Sequence, residues 1–289
     1  MTQPSVSHIN ITRVNGNEYI QTIDLLAVEE PMEIRLGYGP ADMRAQKSIS
    51  VTMRTPGNDF ELALGFLLTE GIIQSPDQVY KIQYCTELNT LENKENIVRV
   101  ELKPEVTIDF SNLQRNFYTT SSCGVCGKES IEAIRTTCSL RIENYELRIN
   151  RNIIIGLPGK LREQQNVFEH TGGLHACALF DITGNLKLLR EDVGRHNALD
   201  KLIGASCNSV PLIAGEVLPR DYSILLLSGR ASFELLQKAA MAGIPIVCAV
   251  GAPSSLAVET AKEFGITLIG FLRGDRFNVY SGSERVQFV

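Results

Sequence analysis

Hydrophobic positions recur along the chain in three rhythms, and each predicts a different element. Met32, Ile34 and Leu36, then Ile49, Val51 and Met53, alternate with polar residues, the two-residue period of half-buried strands. Gly37-Tyr38-Gly39-Pro40 between them reads as a turn. Thr55-Pro56-Gly57-Asn58-Asp59 breaks the second strand and supplies a cap, after which Phe60, Leu64, Leu67 and Leu68 follow helical spacing until Gly71. Short strands return over residues 79–110, clearest in Ile97-Val98-Arg99-Val100-Glu101-Leu102. Residues 1–20 are polar and aperiodic, a loose or edge-strand lead-in.

The texture changes beyond residue 150. Asn152 to Gly156 leads to Pro158 and a helix with a stripe of Leu157, Leu161, Gln164 and Phe168, ended by Gly172-Gly173. Leu174 to Phe180 and Leu186 to Leu189 flank Thr183-Gly184-Asn185 as a hairpin. The polar run Arg190 to Asn197 then sits at a strand-to-helix junction, before a helix carrying Ala198, Leu199, Leu202 and Ile203. The third rhythm is the unbroken apolar run: Ile224 to Leu227, Ile244 to Val250 and Ile266 to Phe271 suit parallel strands covered on both faces. Helices at 232–242 and 256–264 separate them, closed by Gly243 and Gly265, which gives a βαβαβ unit.

That topology puts three loops on one carboxyl edge of the sheet: Ser228-Gly229-Arg230, Gly251 to Ser255, and Arg273-Gly274-Asp275-Arg276. Two open onto helix N-termini and two carry arginines, so an anion, a phosphate or a nucleotide fits there. The chain has neither a Walker lysine motif nor Gly-x-Gly-x-x-Gly, so ATP hydrolysis and dinucleotide hydride transfer lack their usual support.

With 289 residues, 44% hydrophobic, the chain can bury a sizeable core in one large domain or two modest ones. It shows no apolar run of membrane-spanning length, and Met1-Thr2-Gln3-Pro4-Ser5 lacks the order of a signal peptide, which makes the cytoplasm the expected compartment. A net charge of −5 argues against a general nucleic-acid binder. Seven irregularly spaced cysteines argue for reduced thiols rather than a disulfide framework.

One cysteine pair stands apart, in Ser121-Ser122-Cys123-Gly124-Val125-Cys126-Gly127-Lys128. A helix capped by Ser121 or Ser122 puts Cys123 and Cys126 near its first turn, where backbone N–H groups and the dipole favour a thiolate. Such a pair can attack sulfur, shuttle electrons or hold half of a zinc site. Zinc would need further ligands from His170, His175, Cys177 or Cys85, since no second Cys-x-x-Cys exists; a thioredoxin-like role would put the pair after the first strand of a βαβ unit. Cys85, Cys138, Cys177, Cys207 and Cys248 read as small packed hydrophobes, and His175 as a satisfied core residue. Arg195, His196 and Asn197 either cap and solvate a helix or serve a site.

Taken together, Ser122-Cys123-Gly124-Val125-Cys126-Gly127, Glu191 to Lys201, Ser228-Gly229-Arg230-Ala231-Ser232 and Gly270 to Tyr280 closely resemble the FdhD family, from about residue 20 to the C-terminus. The resemblance implies a cytoplasmic sulfur carrier that takes persulfide sulfur from a cysteine desulfurase. It would pass that sulfur to the molybdenum (or tungsten) bis-guanine-dinucleotide cofactor of formate dehydrogenase, with GDP as a mimic of the cofactor's halves. It implies a homodimer without resident metal, nucleic acid or membrane. The implied fold is α/β: a three-layer α/β/α C-terminal domain resembling the cytidine deaminase fold over residues 119–289, and a smaller α+β subdomain over 21–118. By position, Cys123 matches the persulfide-bearing cysteine and Cys126 its partner, while Phe271, Leu272, Arg273, Gly274, Asp275 and Arg276 match the cofactor segment, beside Ser228, Gly229 and Arg230. Deaminase chemistry does not transfer, because no histidine opens the His-x-Glu it needs. The alternative is a cofactor-binding chaperone whose cysteine pair is structural or redox-active and transfers no sulfur.

Overall fold

The computed structural model describes residues 4–85, 95–108, 147–165, 171–207, 218 and 221–288. Cys123 and Cys126, with Cys138, Phe168 and His170, lie outside the described residues. Two sheets dominate, one for each hydrophobic texture read above.

In the first, β3 (Glu30–Tyr38), β4 (Ala45–Arg54), β5 (Val79–Tyr84) and β6 (Ile97–Leu102) lie in the order β4-β3-β6-β5, with β3 and β6 parallel. Met32, Ile34 and Leu36 point to one side and pack with Leu62 and Leu67 of helix α1 (Asp59–Thr69), as the alternation predicts. The expected inward set of β4 is wrong. Pairing slips between Ile34↔Ser50 and Arg35↔Ser48, so Ile49 bulges inward and the strand then changes parity. Val51 and Met53 face solvent at 68% and 47% exposure, while Thr52 and Arg54 turn inward to meet Asn197 and Asp59. The expected side-chain cap of α1 is also absent: Asn58 holds φ 59 and makes no capping bond, and Asp59 accepts from Arg54 instead.

In the second sheet, β8 (His175–Phe180), β9 (Leu186–Asp192), β10 (Ile224–Leu227), β11 (Ile246–Ala249), β12 (Thr267–Arg273) and β13 (Arg276–Ser281) follow the order β13-β12-β11-β10-β8-β9. The βαβαβ unit is as read, with β10, β11 and β12 parallel. Helices α3 (Arg195–Cys207), α4 (Phe233–Met241) and α5 (Ser255–Glu263) cover one face through Leu199, Leu202, Leu235, Leu236, Ala257 and Ala261. Helix α2 (Arg151–Gln164) covers the other through Ile154, Leu157 and Leu161. It starts seven residues before Pro158, because the Asn150 side chain caps it by accepting from the Asn152 N–H at 2.8 Å. It ends at Gln164, while Thr171 is again helical and Gly172, at φ 64, supplies the expected stop there.

Two further departures concern edges. Of the two readings of the lead-in, loose or an edge strand, the structure takes the strand: β1 (Val6–Asn15) forms a hairpin with β2 (Glu18–Ala27), so the expected boundary near residue 20 falls inside β2. At the other end β12 runs on to Arg273, past the expected strand end at Phe271, and pairs with β13, which makes Arg273-Gly274-Asp275-Arg276 the turn of an antiparallel hairpin. Two-residue β7 (Ile149–Asn150) and β14 (Val286–Gln287) pair in parallel.

Candidate functional site

The carboxyl edge of the second sheet carries a cleft of about 530 Å³, walled on one side by α2. Pro158, Leu161, Leu174, Val250 and Leu272 form its apolar walls, and Arg162, Gln165, His175, Ser228, Gly229 and Arg273 bring its polar groups. Topology explains the gathering. His175 opens β8, which runs antiparallel to β10, so its Cα lies beyond the carboxyl end of β10 where Ser228 and Gly229 follow. Ser228 fixes the two strands by donating its N–H to the Ala176 carbonyl and accepting from the Ala176 N–H at its Oγ, 2.9 Å away. The hydroxyl hydrogen is left for another acceptor.

The cleft grades from neutral to cationic. Gln165 is 7% exposed and its amide has no protein partner among the described residues. His175 is half-buried beside Gly229, where a Cβ would stand 3.5 Å from the imidazole Nδ1. Burial, helped by the Arg195 cation, holds the His175 pKa below its usual value, so the ring is neutral at pH 7. Arg162 and Arg273 are exposed at the rim. Among the described residues Arg273 donates only through Nε, to the Val250 carbonyl at 3.3 Å, which leaves its terminal nitrogens for an anion.

Of the residues predicted to bind a cofactor, Ser228, Gly229, Leu272 and Arg273 line the cleft. Arg230, Phe271, Gly274, Asp275 and Arg276 are not in its wall; all but Gly274 are exposed side chains next to it in sequence. Phe271 adopts φ 52, a left-handed backbone that a bulky residue holds only where its surroundings impose it. There its N–H donates to the Gly251 carbonyl at 3.0 Å, tying β12 to the neighbouring loop. The sequence reading missed Arg162 of α2 and Gln165, the residue that follows that helix, and placed His175 in the core as a satisfied residue. It is instead a cleft residue whose imidazole makes no side-chain hydrogen bond among the described residues. The hairpin register carried that signal, since residue 175 stands two positions before Cys177, the partner of Leu227.

The run Glu191 to Lys201 is chiefly a fastening between the two sheets. Asp192 accepts from the N–H groups of Thr55 (3.1 Å) and Gly194 (2.8 Å), from Asn197 Nδ2 (3.3 Å) and from Lys201 Nζ (2.7 Å). Asn197 also donates to the Met53 carbonyl at 2.7 Å, and Lys201 to that of Thr55 at 2.7 Å. A second buried cluster sits one helical turn on, where Lys238 Nζ donates to Thr69 Oγ1 (2.9 Å), Glu70 Oε1 (2.7 Å) and Asp200 Oδ2 (3.0 Å). Burial opposes the Lys238 charge, but Asp200 and Glu70 outweigh it and raise its pKa. Asn197 is thus structural, while Arg195 sets the field at His175 and His196.

Among the described residues, Cys177, Cys207 and Cys248 behave as packed side chains. Burial raises the pKa of Cys248 and Cys207 to about 12 and that of Cys177 further, so none is a thiolate at neutral pH. Among the described residues no group of three or more histidine, cysteine, aspartate and glutamate side chains is set to hold a metal ion, and no helix is long and apolar enough to cross a membrane.

A mixed α/β protein with an anion-suited cleft at its sheet edge is the class these features define. The model of the FdhD/NarQ family matches residues 27–287, and the chain belongs to that family. It is 49% identical over 278 residues to the sulfur carrier protein FdhD of Streptomyces avermitilis, covering 96% of this chain and 94% of that one. It is 44% identical over 286 residues to the protein of the same name in Mycobacterium tuberculosis (98% and 99% covered), and 41% identical over 281 residues to that of Sulfurisphaera tokodaii (97% and 99%). In fold it is similar to a crystal structure assigned as a formate dehydrogenase accessory protein from Desulfotalea psychrophila, with a TM-score of 0.69 at 21% identity over 98% of this chain and all of that one.

Proposed function

We propose that this protein is a sulfur carrier for formate dehydrogenase, loading persulfide sulfur on Cys123 and delivering it to a bis-guanine-dinucleotide molybdenum or tungsten cofactor before the cofactor enters that enzyme. The observation that carries this is the near full-length match, at 49% identity, to a protein named a sulfur carrier. The cleft supports it: two rim guanidinium groups, a hydroxyl and apolar walls suit a phosphate-bearing nucleotide such as one half of the acceptor or GDP. Cys123→Ala, compared with the parent in a reconstitution that supplies desulfurase, cysteine and cofactor, should leave formate dehydrogenase inactive. Full activation by the variant would refute the sulfur-carrier role and leave the cofactor-binding chaperone.

The chemistry balances on the two cysteines. The Cys123 thiolate attacks the outer sulfur of a donor cysteine persulfide, forming the new S–S bond and expelling the donor's thiolate. Cys126, as thiolate, then attacks the inner sulfur of the Cys123 persulfide. Hydrosulfide leaves toward the acceptor, and the resulting Cys123–Cys126 disulfide takes two electrons from a dithiol reductant before the next cycle. Ser228, Gly229, Arg230 and the segment Phe271 to Arg276 are assigned to the acceptor, with Arg273 as the phosphate contact. A homodimer, a cytoplasmic location and a deaminase-like C-terminal architecture complete the picture; the last agrees with the mixed six-stranded sheet covered by helices on both faces.

A further inference from the structure

We propose that Gln165 and His175 read the nucleobase of the ligand in the cleft, which seats its base inward against α2 and leaves its phosphates at the arginine rim. Neither residue is assigned a role by the family resemblance or by the proposed chemistry. The inference takes its ligand, a guanine nucleotide, from the function proposed above.

Four observations carry it. Gln165 is a buried polar side chain, 7% exposed, whose amide lines the cleft without a protein partner among the described residues. The amide atoms are not among the fully enclosed polar atoms without a partner, so they open onto the cleft, where water or a ligand completes their hydrogen bonding. His175 is the second uncommitted group, and its neutral ring offers one donor and one acceptor, as a base edge requires. Around both stand Pro158, Leu161, Leu174, Val250 and Leu272, an apolar lining suited to a flat aromatic ring and poor for a phosphate. The cations lie where the exposure is greatest, at Arg162 and Arg273. Charge at the mouth and neutral hydrogen-bonding groups within is the polarity of a nucleotide entering base first.

The division of labour makes the two kinds of residue separable. Arg273 meets phosphate, which GDP and ADP share, whereas Gln165 and His175 meet the base, at which they differ. A site whose buried polar groups are matched to one base penalises the other, because the mismatch leaves those groups unpaired.

The test is calorimetric titration of the full-length protein with GDP and with ADP, on the parent and on Gln165→Met, His175→Leu and Arg273→Gln, each checked for a native melting transition. The parent should prefer GDP. Gln165→Met and His175→Leu should each weaken GDP by roughly tenfold, the size of one good hydrogen bond, and narrow the preference over ADP. Arg273→Gln should weaken both nucleotides alike. Should one base-side variant fail to fold, the other decides. A parent that binds GDP while folded Gln165→Met and His175→Leu bind it equally well, with the same preference, overturns the base-reading roles and leaves the sulfur-carrier function standing. A parent that binds neither nucleotide overturns this inference together with the nucleotide arm of that function.

Discussion

Lys201 Nζ lies 2.7 Å from the Asp192 carboxylate, and neither side chain exposes more than 2% of its surface. The pair fastens the strand-to-helix junction of the second sheet to Thr55 at the end of β4. Removing one partner strands a charge without solvent, which typically lowers stability by about 3–5 kcal/mol. Lys201→Met should therefore shift the urea midpoint strongly downward. The double variant Lys201→Met with Asp192→Asn should recover part of that loss, because it leaves no uncompensated carboxylate.

Gly65 of α1 and Gly204 of α3 let the two helices touch backbone to backbone. A Cβ at Gly65 would lie 1.8 Å from the Asp200 carbonyl oxygen, and one at Gly204 would lie 1.9 Å from that of Glu61. Main chain cannot swing aside as a side-chain tip can. Gly65→Ala and Gly204→Ala should each cost about 3 kcal/mol, the upper end of overpacking penalties, despite alanine's better helix propensity. Thermal melting of both variants checks this. A gain in melting temperature would show that the helices are farther apart.

Burial, then the Arg195 and Lys238 cations, depresses the His196 pKa to about 4, below its ordinary 6.5. Since the unfolded chain takes up the proton more readily than the folded one, His196 subtracts stability progressively as pH falls from about 6.5 to about 4, and not above that window. His196→Gln removes the titrating group. The stability difference between variant and parent should move in the variant's favour across that window, measured by chemical denaturation at half-unit pH steps. A difference that does not change with pH would place His196 in solvent.

Phe271 stores strain at the edge of the cleft, with φ 52 and 42% of its surface exposed. Phe271→Gly relaxes a left-handed backbone that disfavours a bulky residue by roughly 1–2 kcal/mol. Melting temperature should hold or rise in the variant while GDP affinity falls, the pattern of a conformation kept for binding. Loss of stability with unchanged affinity would make Phe271 an ordinary packing residue.

The legible part of the fold was the part with two covered faces. Ile224 to Leu227 and Ile246 to Ala249 are apolar at every position, so neither a register slip nor a bulge could disguise them. β4 was misread because a single bulge at Ile49 inverts every later residue, and because Thr52 and Arg54 find polar partners from distant elements that alternation cannot see. The lead-in was read as loose or an edge strand, and its hairpin pairing with β2 was not legible for the opposite reason: with most of both strands exposed, there is no one-sided burial to write a pattern. At the site, Ser228 and Arg273 were foreseeable from strand ends. Arg162 and Gln165 were not, since they reach the cleft from a helix on the sheet's far face, a relation that exists only once the layers are stacked.

Whether sulfur travels on Cys123 is decided by peptide mass spectrometry after incubation with a cysteine desulfurase and cysteine, with thiols trapped before digestion. The peptide containing Cys123 should gain the mass of one sulfur atom, lose it on mild reduction, and show no gain in Cys123→Ala. An unmodified Cys123 peptide beside a desulfurase that has itself been loaded would contradict the account.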